Sequence, residues 1–134
     1  MFDAATGDLT YVNAGHMPPL LMREDGSWER LTEGGIALGM FDHSMYTTGR
    51  VTIQPDEVLA IYSDGITEAE NPAGQPFDEA GLEATLIAHR HESLAALGAA
   101  VVRSVEVYTA DTRLADDLTI LLLRRCTVPT AVGV

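Results

Sequence analysis

Positive charge is scarce in this sequence. Eight basic residues stand against twenty acidic ones, a net charge of −12 at pH 7. So acidic a surface excludes general binding to nucleic acid or to an anionic membrane. For an anionic ligand such as a phosphate, something other than side-chain cations has to supply the attraction, and a bound divalent metal is the obvious source. Cysteine is nearly absent as well. Cys126, beside Arg124 and Arg125, has no second thiol to pair with, which excludes an internal disulfide and suits a reducing compartment. No apolar run reaches the length of a membrane span, and the N-terminus has no basic region followed by an apolar segment, so a cytoplasmic location is expected. What is present is 46% apolar and 21% charged residues over 134 positions. That is one domain or part of one, with an ordinary core and no sign of disorder.

The stretch that organises the chain is Val58-Leu59-Ala60-Ile61-Tyr62-Ser63-Asp64-Gly65-Ile66-Thr67-Glu68. Its apolar first half reads as a buried strand that delivers Ser-Asp-Gly at its end. Gly65 would let the backbone turn close to whatever Asp64 holds. On local grounds Asp64-Gly65 also reads as a plain turn. A second acidic pair, Asp116-Asp117, precedes the apolar run from Leu118 to Leu123. Two strands that each carry acid at one end can bring oxygen ligands together.

The rest of the chain supplies the frame. Thr6-Gly7-Asp8 turns a first strand into Leu9-Thr10-Tyr11-Val12, and Asn13-Ala14-Gly15-His16-Met17-Pro18-Pro19 forms a tight corner whose prolines exclude a helix. Asp25-Gly26 is a hairpin signal, with Trp28 and Arg30 on one side of the second arm and Glu29 and Leu31 on the other. Gly34, Gly35 and Gly39 are too dense for a stable helix or strand. Without the lysine and strand-to-helix setting of a P-loop they read as a close backbone crossing. Tyr46 to Ile53 is expected as a strand, Gln54 to Glu57 as a turn, and Asn71-Pro72-Ala73-Gly74 as a loop. A helix follows from Asp78, with Leu82 and Leu86 on one face and His89, Arg90 and His91 in its last turn. Leu94, Leu97, Val101, Val105 and Tyr108 step along a second helix capped by Ser93, and that face should pack on a sheet. Residues 126–134 read as a flexible tail.

Asn13-Ala14-Gly15-His16, Leu38-Gly39, Tyr62-Ser63-Asp64-Gly65-Ile66-Thr67-Glu68-Ala69 and Asp116-Asp117-Leu118-Thr119 together resemble the metal-dependent protein phosphatases of type 2C, in particular their bacterial SpoIIE-type branch. The resemblance implies an α+β fold, a sandwich of two antiparallel sheets flanked by helices, with residues 1–125 forming the C-terminal part of such a domain. It implies two Mn2+ or Mg2+ ions between the sheets, a choice of metal that the absence of a cysteine or histidine cluster suits. An activated water would attack a phosphoserine or phosphothreonine without a covalent enzyme intermediate. By position Asp64 and Asp116 match the family's metal aspartates, and through them the catalytic residues. Asp117 falls where relatives often have asparagine and would orient the site. Gly65 belongs to the same motif. Asn13 and His16 form a corner near the substrate; His16 either meets a phosphate or holds the corner through backbone bonds. Glu68 either ties the strand end to its neighbours or touches the metal. His43, His89 and His91 read as surface residues.

The family places further strands, a Gly-Asp near its start and the aspartate that bridges both metals ahead of that corner, and Asp3, Asp8 and Asp25 have no such setting. A fragment is therefore expected, with open sheet edges that favour self-association. The implied function is hydrolysis of a phosphorylated anti-sigma-factor antagonist in a partner-switching pathway, with little activity in these 134 residues alone. The alternative is a catalytically incompetent fragment or a regulatory or binding module that retains the fold.

Overall fold

The computed structural model describes residues 1–110 and 117–126. The expectation for Asp116, and all of the expected 126–134 tail except Cys126, therefore lie outside the described residues. In chain order the elements are β1 (Asp8–Tyr11), β2 (Asn13–Ala14), β3 (Leu20–Met22), β4 (Trp28–Arg30), β5 (Gly34–Gly35), β6 (Gly49–Thr52), β7 (Val58–Tyr62), α1 (Asp64–Thr67), α2 (Asp78–Ala88), α3 (Leu94–Tyr108) and β8 (Ile120–Arg124). Four strands form one antiparallel sheet in the order β4-β3-β7-β8, β1 pairs antiparallel with β6, and β2 runs parallel to β5.

The four-stranded sheet is apolar on both faces, and alternation along each strand divides its residues between two clusters. Leu20, Met22, Val58, Ala60 and Tyr62 point to the helices, where they meet Leu82 and Leu86 of α2 and Leu97, Val101 and Val105 of α3. Leu21 and Leu59 point the other way, onto Leu31, Val51 and Ile53, with Leu9 and Tyr11 packed alongside. The result is a helical layer, a four-stranded sheet and a two-stranded sheet. Among the described residues the helices flank the larger sheet on one face only.

Several local expectations hold. The hairpin turns at Gly26, whose φ is +82°, and Arg23 N–H donates to the Ser27 carbonyl at 2.9 Å. Trp28 packs on the helical side and Leu31 on the other. Ser93 caps α3, its Oγ accepting from Ala96 N–H at 3.2 Å. Tyr108 closes that helix with its ring edge-on to Phe77, centroids 5.3 Å apart.

Two boundaries differ from the sequence reading. The strand expected from Tyr46 begins at Gly49, where pairing with Tyr11 starts. Thr47 is drawn instead to the glycine crossing, its N–H donating to the Gly34 carbonyl at 3.1 Å. Helix α2 stops at Ala88 and does not run through His91. Just past that end Arg124 of β8 gathers the chain: Nη2 donates to the Arg90 carbonyl at 2.6 Å and Nη1 to that of Glu92 at 2.7 Å.

Tyr62 ties the central strand to the helical layer. Its hydroxyl donates to Glu79 Oε1 at 2.8 Å, and Arg30 bonds both Glu79 and Glu83. Burial, and then the carboxylate of Glu79, push the Tyr62 phenol well above its ordinary pKa of 10.0. A raised native pKa leaves stability intact below the unfolded value and erodes it above, since only the unfolded chain then gives up the proton. Urea unfolding should thus show stability falling once the pH exceeds about 10, with a shallower fall in Tyr62→Phe; equal slopes in the two proteins would contradict this assignment.

Candidate functional site

Three segments meet at one end of the four-stranded sheet. The first is the tip of β7, where the expected turn is a short helix. The Ser63 carbonyl accepts from Ile66 N–H at 3.1 Å and the Asp64 carbonyl from Glu68 N–H at 2.8 Å. Gly65 lies buried inside this helical turn, so it serves packing there and not a reversal of the chain. Asp64, the first helical residue, is exposed, and its carboxylate bonds no group among the described residues. Glu68 caps the far end of α1 and is exposed.

The second segment is 117–119, leading into β8. Ser63 N–H donates to the Thr119 carbonyl at 3.0 Å, which extends the β7–β8 pairing one residue beyond Tyr62 and Ile120. The Ser63 hydroxyl donates to the Asp117 carbonyl at 3.1 Å and accepts from Thr119 N–H at 3.0 Å. Asp117 is exposed, while Leu118 beside it packs on the helical-side core. Asp116, the other expected ligand, precedes this segment directly but is not among the described residues.

The third segment is the corner after β2. Asn13 clamps it from both sides: Oδ1 accepts from His16 N–H and Nδ2 donates to the His16 carbonyl, each at 2.9 Å. His16 Nδ1 lies 2.8 Å from the Met17 carbonyl. A carbonyl only accepts, so Nδ1 carries the proton and Nε2 remains outside this bond. Thr67 Oγ1 reaches Met17 Sδ at 3.8 Å, linking the corner to α1. Beneath the corner the glycine crossing is as close as the sequence suggests. A Cβ on Gly34 would lie 1.8 Å from the Asn13 carbonyl oxygen, and one on Gly15 2.6 Å from Ala37 Cα.

The sequence reading named Asn13, His16, Asp64, Gly65, Glu68 and Asp117, and the fold brings their segments together. It missed Ser63, Thr67 and Met17, which make the ties between segments. A serine just ahead of a short helix looks like an ordinary cap, and nothing local shows that its hydroxyl makes no capping bond.

Oxygen ligands are what a hard divalent cation takes, so the donor chemistry here fits Mn2+ or Mg2+. Among the described residues no three His, Cys, Asp or Glu side chains gather to hold an ion. Among the described residues the segments of the site, 13–19, 63–69 and 117–119, contain no Arg or Lys. Elsewhere Arg23 pairs with Glu29 and Glu57, Arg30 with Glu79 and Glu83, and Arg125 bonds the Ile53 and Ala5 carbonyls.

This arrangement of sheets and helices is that of the PP2C phosphatase domains. The SiaA-PP2C domain of Pseudomonas aeruginosa superposes with a TM-score of 0.70 at 20% identity, over 88% of this chain and 46% of that one. The phosphatase domain of the cell fate determinant SpoIIE from Bacillus subtilis, presoaked with Mn, gives 0.72 at 12% identity, over 96% and 55%. The RsbU and RsbW domains of Rv1364c from Mycobacterium tuberculosis give 0.66 at 24%, over 93% and 34%. At such identities the likeness shows the fold alone. The sequence profile of the family described as Stage II sporulation protein E (SpoIIE) matches residues 1–126, and the chain belongs to that family. Protein IcfG of Synechocystis sp. is 37% identical over 89 residues, 66% of this chain and 14% of that protein. The chain thus spans about half of the first two solved domains and far less of IcfG.

The corner depends on Gly15, which has φ +85° as well as the contact with Ala37. Gly15→Ala should cost about 2–5 kcal/mol in urea unfolding, from left-handed strain together with overpacking. A cost under about 0.5 kcal/mol, the size of an ordinary surface substitution, would contradict the close crossing.

Proposed function

We propose that this chain contributes to a metal-dependent phosphatase that hydrolyses phosphoserine or phosphothreonine in a protein. The observation that carries the reading is the tip of β7, where Asp64 is exposed, has no cation beside it among the described residues, and is held next to the Asp117 segment. Membership of the SpoIIE family supports it. Asp64 and Asp116 are proposed as ligands of Mn2+ or Mg2+, and Asp117 as a residue that orients them. When bound, such an ion supplies the positive charge that a phosphate dianion needs and makes water acidic enough to attack phosphorus near neutral pH.

The chain's own groups have distinct parts in this reading. Asp64 offers its carboxylate from a rigid strand tip, which limits the reorganisation needed on binding. His16, its ring fixed through Nδ1–H, presents Nε2 at the corner, where it accepts a proton as the neutral ring and, only once protonated, donates to a phosphate oxygen or to the leaving serine oxygen. Asn13 keeps that corner in place. Glu68 caps α1 and adds negative charge at the mouth, which disfavours anions unless metal is present.

The substrate we propose is a phosphorylated anti-sigma-factor antagonist of a partner-switching pathway, in the cytoplasm of a bacterium. Support comes from the fold shared with the RsbU and RsbW domains of Rv1364c and the SiaA-PP2C domain. The second reading is a regulatory or binding module that keeps the fold without turnover.

The test is Mn2+-dependent phosphate release from such a phosphoprotein, measured on the 134-residue chain and together with whatever its gene encodes upstream of Met1. Activity is expected in the extended protein and little in the 134 residues. Asp64→Asn should lower kcat/KM by about 100-fold or more, the loss expected when a metal ligand goes. Turnover absent from the extended protein despite Mn2+ binding would establish the second reading.

A further inference from the structure

We propose that Ser63 is the positioning residue of this site, a clasp whose hydroxyl sets the spacing between the Asp64 tip and the Asp117 segment. The inference rests on the functional reading above and deepens it.

An antiparallel pair exchanges two main-chain hydrogen bonds at each bonded position. Opposite Thr119, Ser63 gives only one of them, from its N–H to the Thr119 carbonyl. Its own carbonyl has turned away to accept Ile66 N–H and start α1. Thr119 N–H has therefore lost its main-chain partner because the strand becomes a helix at that point. The Ser63 hydroxyl takes the place of the diverted carbonyl, accepting from Thr119 N–H at 3.0 Å. It then donates its own hydroxyl hydrogen to the Asp117 carbonyl in a hydrogen bond of 3.1 Å. A serine at an N-cap ordinarily bonds its own helix; this one makes no capping bond and crosses to the neighbouring strand instead.

The three bonds fix both strand ends where their acids emerge. Asp64 follows Ser63 directly, and Asp117 is itself clasped, its carbonyl accepting from Ser63. Alanine would remove the bridge and leave Asp117 and Thr119, both exposed, to bond water. The cost to folding should be small and the cost to alignment large, because ligands tolerate little displacement around a metal. Threonine keeps the hydroxyl and should keep the clasp.

The experiment uses the 134-residue chain with Ser63→Ala and Ser63→Thr, read in two ways. Amide hydrogen exchange at Thr119, followed by NMR without metal, reports the clasp itself. Calorimetric titration with Mn2+ alone reports the ligands. Ser63→Ala should speed Thr119 exchange and weaken Mn2+ binding about tenfold, with a thermal midpoint lowered by only a few degrees, whereas Ser63→Thr should match the wild type in both. Unchanged Thr119 exchange in Ser63→Ala overturns the clasp. Faster exchange with unchanged Mn2+ affinity overturns the positioning role and leaves only a structural bond. A wild-type chain that binds no Mn2+ overturns the positioning role in this chain, whereas the functional reading stands or falls separately on Mn2+-dependent turnover by the extended protein.

Discussion

Strand β7 is covered on both faces, and that constraint governs where charge can sit. Helices pack on Val58, Ala60 and Tyr62, and the second cluster packs on Leu59 and Ile61. An unpaired charge inside the strand would be costly, so its acids lie at the two ends, and the ends differ. Glu57, before the strand, is buried and answered by Arg23 Nη1 at 2.8 Å and by Gln54 N–H at 2.8 Å. Asp64, after it, is exposed and has no protein partner among the described residues. One acid is part of the structure, and the other is available to a ligand.

The same asymmetry runs through the arginines. Arg23, Arg30, Arg124 and Arg125 fasten hairpin, helices and sheet by bonding carboxylates and carbonyls. None lies on the segments that form the site. An acidic protein that is to handle phosphate then needs imported positive charge, which is why the scarcity of basic residues and the oxygen donors at the described site argue for the same kind of ion.

Much of the frame was legible because it depends on local pattern. The steps from Leu94 to Tyr108 with Ser93 ahead of them define a helix wherever they occur, and Asp25-Gly26 between extended arms leaves few alternatives to a hairpin. The close approach at the glycine crossing was readable, although Gly34 and Gly35, expected to form no strand, pair with Asn13 and Ala14 as β5, because a glycine there leaves room for the Asn13 backbone. What escaped depends on residues distant in sequence. Helix α2 ends just ahead of the carbonyls that Arg124 takes, and β6 begins late because Thr47 goes to Gly34. The helical turn at Asp64 is too short to have a period. At the site, Asp64 and the Asn13 to His16 corner could be named in advance as candidates, whereas the Ser63 and Thr67 ties became visible only once the segments were adjacent.

The central claim is that the tip of β7 holds a metal. Crystals soaked in Mn2+ and measured at the manganese absorption edge test it most directly, because anomalous scattering locates the ion without reference to activity. The account predicts a peak about 2.0–2.3 Å from a carboxylate oxygen of Asp64, within the range of hard-cation ligands. Peaks elsewhere on the acidic surface, with none at Asp64, would contradict it.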